Sequence, residues 1–173
     1  MYLKYMKIIF LGDIHNQFQY QNNLINNMKK YKNYNLWLEF IYPSDILLLK
    51  QITENNKDEI LTKILNNLKK NNWSLEYNKN IIKIIEKALE LKIDIFPLEN
   101  EKYSLKSFIK IHGVNGLFFY LNDRISDKIG GCNYRWIKMI KKNMFINKKN
   151  QLIFAGKMHK EPIINILSYQ NID

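Results

Sequence analysis

The chain lacks features that would place it in several large classes of protein. Among its 173 residues Cys132 is the only cysteine, so no disulfide can form within the chain. No apolar run approaches the length of a membrane span, and the opening residues MYLKYMK lack the apolar stretch of a secretory signal. These absences predict a protein without a membrane span and with a cytoplasmic location; export as an effector is the alternative.

Arginine is almost missing, so the basic composition of the chain is a weaker indication of a phosphate-binding surface than usual. Lysine and arginine together number 27 against 16 acidic residues, giving a net charge of +11, yet only Arg124 and Arg135 are arginines. Lysine accompanies asparagine in stretches such as NNMKKYKNYN, a pattern typical of AT-rich codon usage. Because a surface that reads phosphates usually also uses arginine, the charge alone does not predict nucleic acid as a partner.

Apolar and aromatic side chains, in contrast, are plentiful. Hydrophobic residues make up 46 % of the chain and aromatic residues 13 %, which argues against disorder. No linker, shift in composition or tandem repeat divides the sequence. We therefore predict a single domain over residues 1–173.

Short apolar runs alternate with segments of helical periodicity. Strands are predicted at 7–11, 35–40, 93–100 and 151–155. Helices are predicted at 17–32, 43–53, 58–70, 78–92 and 133–147. Segment 101–132 fits a helix and turn or a mobile flap, and the last dozen residues fit a helix or an edge strand. This order predicts an α/β fold with a mostly parallel central sheet of about four to five strands, flanked by helices on both faces.

Ionisable side chains follow every predicted strand. Two segments, IIFLGDIH and LIFAGKMH, share Ile-Phe, one residue, Gly, two residues and His, and they end at His15 and His159. In an open parallel sheet, ligands bind at the carboxyl ends of the strands. The sequence therefore predicts a site at this edge of the sheet, built from strand-end residues: Asp13, His15, Glu39, Glu99, Asn100 and His159.

Two kinds of chemistry suit these side chains. Imidazoles and carboxylates together can bind a divalent metal such as Mn²⁺, Co²⁺ or Zn²⁺. Without a metal, one histidine can act as a general base while a carboxylate fixes its tautomer. The residues leave both possibilities open, and the predicted metal ligands are His15, Glu39, Glu99 and His159. The remaining histidine, His112, is interpreted as a loop residue and Cys132 as an incidental thiol.

The order of these motifs resembles a superfamily that includes the erythromycin esterases, the ChaN-like haem-binding proteins and the TraB/Tiki proteins. The similar stretches are GDIH, LWLEF, NKNIIKIIEKALELKIDIFPLEN, NYRWIKMI and FAGKMH, which together cover most of the chain. The chain departs from the family in its short length and in Asp13, where glutamate is common. The resemblance implies a single α/β domain, and it implies an arginine-bearing helix that would supply Arg135, with Arg124 as its rival. Similar domains also occur in bacterial toxins and effectors.

Our first hypothesis is a metal-assisted or histidine-dependent hydrolase of an ester, amide or peptide bond in a small molecule or peptide. Arg135 would hold a substrate carboxylate or stabilise a developing oxyanion. The predicted catalytic residues are His15, Glu39, Arg135 and His159. The predicted substrate-binding residues are Asp13, Asn100 and Arg124.

Two other functions remain as hypotheses. The first is a non-enzymatic module that binds haem, an anionic surface or a protein partner through the basic helix WIKMIKKNMFINKK. No tyrosine or methionine is identifiable as a haem ligand, although the chain has 11 tyrosines. The second is a calcineurin-like phosphoesterase, because GDIHNQ is similar to the opening Asp-x-His of that family. Its later Asn-His and His-x-His motifs have no counterpart in this sequence.

Overall fold

Strands and helices alternate along the chain, as the sequence predicts. The structure, a computed structural model, describes residues 6–14, 17–71, 73–100, 105–125 and 132–169. The first half contains β1 (Ile8–Asp13), α1 (Phe18–Asn27), β2 (Tyr34–Leu38), α2 (Pro43–Leu49), α3 (Lys57–Leu68) and α4 (Leu75–Glu90). The second half contains β3 (Ile95–Pro97), α5 (Leu105–His112), α6 (Gly116–Ile125), α7 (Cys132–Asn147), β4 (Asn150–Gly156) and α8 (Lys160–Tyr169). The predicted site residue His15 lies outside the described residues, and so does the side chain of Arg124.

The strands form one parallel sheet in the order β1-β4-β2-β3. In its register Asp13 lies opposite Gly156, while Leu38 lies opposite Phe154 on one side and Pro97 on the other. This sheet confirms the predicted α/β class with four parallel strands. It also brings the carboxyl ends of β1, β4 and β2 next to one another.

The central strand β4 explains why its sequence is a continuous apolar run. A strand of a parallel sheet is covered by helices on both faces, so it needs apolar residues at every position. Leu152 and Phe154 face one core, and Ile153 and Ala155 face the other. Residues 151–156 are buried throughout.

Helices cover the two faces unequally. The first face packs against α1, α2, α3 and α4, whereas the second packs against α7 and α8. The chain therefore leaves β1 and β2 toward the first face but leaves β4 toward the second. A crevice forms where neighbouring strands lead to opposite faces, so the carboxyl end of β4 is the place where this topology favours a ligand.

Several predicted boundaries are corrected by the structure. Strand β1 continues through Asp13 instead of ending at residue 11, because it keeps pairing with β4 up to Gly156. Strand β3 covers three residues of the predicted 93–100 and ends at Pro97, which has no N–H to donate. Helix α2 begins at Pro43, as predicted, but ends at Leu49 instead of residue 53, and the Tyr42 N–H donates to Asp45 Oδ2 at 2.9 Å.

The two segments that the sequence left open are helical where the structure describes them. Residues 105–125 form α5 and α6, joined by a short turn, and His112 is the last residue of α5 rather than a loop residue. Residues 160–169 form α8, which packs on the second face and is not an edge strand. Within the described ranges, no helix is long and apolar enough to cross a bilayer.

Candidate functional site

Ionisable side chains from several strands meet at the carboxyl edge of the sheet. Asp13 ends β1, Glu39 directly follows β2, and His159 follows β4 after one turn of 3₁₀ helix. Glu99 comes two residues after β3 and is buried, as is Asp13. The side chains of Glu39 and His159 are only 13 % and 18 % exposed. Of the predicted set, the structure brings Glu39 and His159 within 3.7 Å of each other, and a shared site with the other members stays a prediction.

Glu39 is held by the main chain of its neighbouring strand. Its Oε2 accepts a hydrogen bond of 2.6 Å from the Gly156 N–H, at the point where β4 ends. Its Oε1 lies 3.7 Å from Nε2 of His159. One oxygen thus fixes the carboxylate, and the other directs negative charge at the imidazole.

The other nitrogen of His159 is held from the opposite side of the ring. Nδ1–H donates to Oδ1 of Asn133 at 2.8 Å, and the Trp136 ring lies 4.6 Å from the imidazole, centroid to centroid. Both partners lie in the first turns of α7. In the neutral ring this bond places the proton on Nδ1 and the lone pair on Nε2, facing Glu39. The imidazole therefore has a fixed tautomer and a fixed orientation.

The turn that carries His159 packs tightly against β1. A Cβ built on Gly12 would lie 3.2 Å from Cα of Lys157, closer than most real Cβ contacts. Glycine at this position lets the turn approach the strand. The two similar Gly-x-x-His motifs are therefore in contact: Gly12 of the first lies against Lys157 of the second.

Tyr77, which the sequence analysis did not single out, lies in the core of the first face and contacts the end of β1. The Tyr77 hydroxyl donates to Oδ2 of Asp13. Ser74 caps α4 by accepting from the Tyr77 N–H at 3.1 Å, which fixes the turn that carries the phenol. Burial, then the hydrogen bond to Asp13, then the negative charges of Asp13 and Glu39, raise the pKa of Tyr77 far above its ordinary value. Tyr77 is consequently a neutral hydrogen-bond donor at any physiological pH.

The other predicted site residues are placed as follows. Asp13, predicted to bind substrate, is buried against Tyr77, and this burial favours a positioning role over direct contact with substrate. Arg135 is half-buried on α7, two residues after Asn133, and Asn100 is exposed after β3. The backbone of Arg124 belongs to α6.

Glu39 and His159 have the spacing of two ligands to one ion. Bonds of about 2.0–2.1 Å to each atom would span their separation of 3.7 Å. Across the described ranges no group of three His, Cys, Asp or Glu side chains is close enough to hold a metal ion. The predicted ligand His15 lies outside those ranges, so the metal hypothesis stays a prediction with two of its four ligands adjacent.

Three residues of this site escaped prediction: Tyr77, Asn133 and Trp136. Each belongs to a helix and reaches the edge through tertiary packing, while the sequence argument considered strand ends. Ser74, three residues before Tyr77, signals a helix cap but not the contact with Asp13. In a chain so rich in asparagine, no local signal distinguishes Asn133.

Comparison with known proteins adds no relative: no family model, no curated protein and no solved structure matches the chain. The resemblance to the erythromycin esterase group therefore stays a prediction.

Proposed function

We propose that the protein is a hydrolase of an ester, amide or peptide bond in which His159 is the general base. The observation that carries this proposal is an imidazole held by Asn133 at Nδ1, with the Glu39 carboxylate 3.7 Å from its Nε2, at the carboxyl edge of a parallel sheet. A base needs a fixed tautomer and access to the site where ligands bind. The burial of most of the ring beside Trp136 limits competing orientations.

In this mechanism Nε2 of His159 takes a proton from the attacking water. The hydroxide adds to the carbonyl carbon, and the imidazolium then returns the proton to the leaving alcohol or amine. Glu39 stabilises the imidazolium, because its Oε1 lies 3.7 Å from Nε2. Gly156 keeps that carboxylate in place through its N–H. The substrate gains one water, and the protein ends in its starting protonation state.

Arg135 and Tyr77 are the groups that we propose for substrate charge and site geometry. A guanidinium on α7, two residues from the partner of the imidazole, suits a substrate carboxylate or the developing oxyanion. Tyr77 would hold Asp13 and so fix the end of β1. Neither role requires either residue to exchange a proton.

The metal-assisted form of the same reaction has its own supporting observation, the 3.7 Å between Glu39 Oε1 and His159 Nε2. If an ion binds, these two side chains would hold it, together with the predicted ligand His15, which lies outside the described residues. A bound divalent metal would supply an activated water at neutral pH. The substrate class would be the same in both forms.

The test uses the full chain with a panel of nitrophenyl esters, aminoacyl anilides and fluorogenic peptides, with chelator or with Mn²⁺, Co²⁺ or Zn²⁺. We expect His159→Ala to lower kcat/KM by about 10²–10⁴-fold, the usual contribution of a general base. The matched control is His112→Ala, which removes the exposed imidazole of α5 and should leave activity unchanged. Equal activity in the two variants would overturn the proposal, and dependence on added metal would select its metal-assisted form.

A further inference from the structure

The helices α5 and α6 form a hairpin that packs chiefly on itself. The turn between them, residues 113–115, contains Gly113 at φ +59°, a conformation that glycine adopts readily. At Gly116 the two helices come so close that an added Cβ would overlap the backbone of Ile109. The main contacts of each helix are with the other and with the turn that joins them. This segment, the α5–α6 hairpin (residues 105–125), is therefore built as a unit.

The α5–α6 hairpin exposes a large share of its apolar side chains. At its tip Val114 is 96 % exposed and, one turn into α6, Phe118 is 69 % exposed. The other exposed apolar side chains are Ile109, Ile111, Leu117, Phe119 and Leu121. Exposed apolar residues concentrated to this degree mark a surface that binds something apolar.

Their distribution around α6 indicates what kind of partner fits. Residues 117, 118 and 119 project about 100° apart around a helix, so together they cover more than one face. A protein groove covers one face of a bound helix, whereas lipid surrounds an inserted tip on every side. The pattern thus favours a lipid surface over a complementary groove in another protein.

Charge indicates the type of lipid. The α5–α6 hairpin carries Lys106, Lys110 and Arg124 against a single acidic residue, Asp123, and the whole chain has a net charge of +11. Lysines next to an apolar wedge suit an anionic bilayer.

We propose that the tip of the α5–α6 hairpin inserts into the interface of an anionic lipid bilayer. The two helices have eight and ten residues, which corresponds to lengths of about 12 and 15 Å. These lengths reach the boundary between headgroups and acyl chains but do not cross a hydrocarbon core of about 30 Å. The binding is accordingly interfacial, and it does not depend on the hydrolase proposal.

The first test is cosedimentation of the full chain with vesicles of phosphatidylcholine alone or mixed equally with phosphatidylglycerol. We expect binding to the anionic vesicles that weakens with salt, and a loss of about tenfold or more in Val114→Asp and Phe118→Ser. The matched control is Phe145→Ser, because Phe145 on α7 is 76 % exposed and lies outside the hairpin. This control should bind within about twofold of the wild type.

The second test places a probe at the tip. Val114→Trp should show a blue-shifted emission and quenching by brominated phosphatidylglycerol, while Phe145→Trp should show neither. All three positions are exposed, and circular dichroism checks that each variant is folded. Unchanged vesicle binding in the two hairpin variants would overturn the proposal. It would also be overturned by concentration-dependent self-association that the same variants abolish in a protein that ignores vesicles, since that result assigns the hairpin to a second copy of the chain.

Discussion

The two ends of the same sheet bury polar groups of different kinds. At the amino end of the strands, Asn35 donates to Oδ1 of Asn143 at 2.6 Å and the Trp37 indole donates to Oε1 of Gln151 at 2.7 Å. At the carboxyl end the buried or nearly buried groups are ionisable: Asp13, Glu39, Glu99 and His159. Neutral donors and acceptors such as these can pair without burying a charge, whereas burying a charge is costly. The amide pairs are thus expected to stabilise the fold, and the ionisable set to serve chemistry.

Helix α7 supplies one asparagine to each end of the sheet, so the two ends can be compared through residues of a single helix. Asn133 in its first turn holds His159, and Asn143 near its last turn holds Asn35. Both contacts are made by the same helix, which packs on the second face of the sheet. Any difference in the effect of breaking them is therefore attributable to the groups and not to the helix.

The largest expected effect is on activity at the carboxyl end. His159→Ala should lower kcat/KM by about 10²–10⁴-fold against the best ester or peptide substrate, because it removes the proposed base. Its free energy of unfolding, measured by urea titration, should change much less. A variant as active as the wild type would show that His159 at the carboxyl end is not the base.

Metal binding gives the next largest expected effect. If an ion bridges Glu39 and His159, Mn²⁺, Co²⁺ or Zn²⁺ at about 100 times its Kd should stabilise the wild type by about 2.7 kcal/mol. Differential scanning fluorimetry should show a raised Tm for the wild type and for His112→Ala, but not for His159→Ala. An equal shift in all three proteins would mean that the ion binds elsewhere.

At the amino end the effect should fall on stability alone. Asn143→Ala leaves the buried amide of Asn35 without its acceptor and should cost about 1–3 kcal/mol of unfolding free energy. The control is Asn147→Ala, which changes an exposed asparagine of the same helix. Activity per folded molecule should stay unchanged in both. If Asn143→Ala lowered activity as strongly as His159→Ala does, the amino end would not be limited to stabilising the fold.

The smallest expected effect is on the pH dependence of the unfolding free energy, to which Tyr77 contributes and an exposed tyrosine does not. The folded protein raises the pKa of Tyr77 far above 10, so above about pH 10 the unfolded chain releases a proton that the folded protein keeps. Stability should then fall as pH rises, by about 1.4 kcal/mol per pH unit for this one group. Urea titrations between pH 9 and 11 should show a shallower fall in Tyr77→Phe than in the wild type, while Tyr134→Phe, which alters an exposed tyrosine, should follow the wild type.

The strands were predictable because the pattern that specifies them is local. A continuous apolar run such as residues 152–155 has few alternatives to a buried strand, although the predicted strand ends differ from the observed ones by up to three residues. The order β1-β4-β2-β3 was not predicted, since pairing β1 with β4 joins residues more than a hundred positions apart. Glu39 and His159 were found because they follow strands. Tyr77 and Asn133 were missed because helix packing alone brings them to the edge.

The hairpin resisted prediction for a related reason. Its apolar residues do not repeat at the spacing of one buried face, so periodicity could not separate two helices from a flap. Gly113 and Gly116 look like ordinary breakers in the sequence. Their actual roles, a left-handed turn and a close approach of two helices, depend on the neighbouring helix.

The bond between Glu39 and the Gly156 N–H has an evolutionary consequence. Its donor belongs to the peptide backbone, and Gly156 has φ −50° and ψ 134°, angles open to any L-amino acid. A genome that drifts toward lysine and asparagine codons can exchange side-chain donors, but it cannot delete a peptide donor except by introducing proline. The orientation of this carboxylate is consequently insulated from every side-chain substitution at position 156 other than proline.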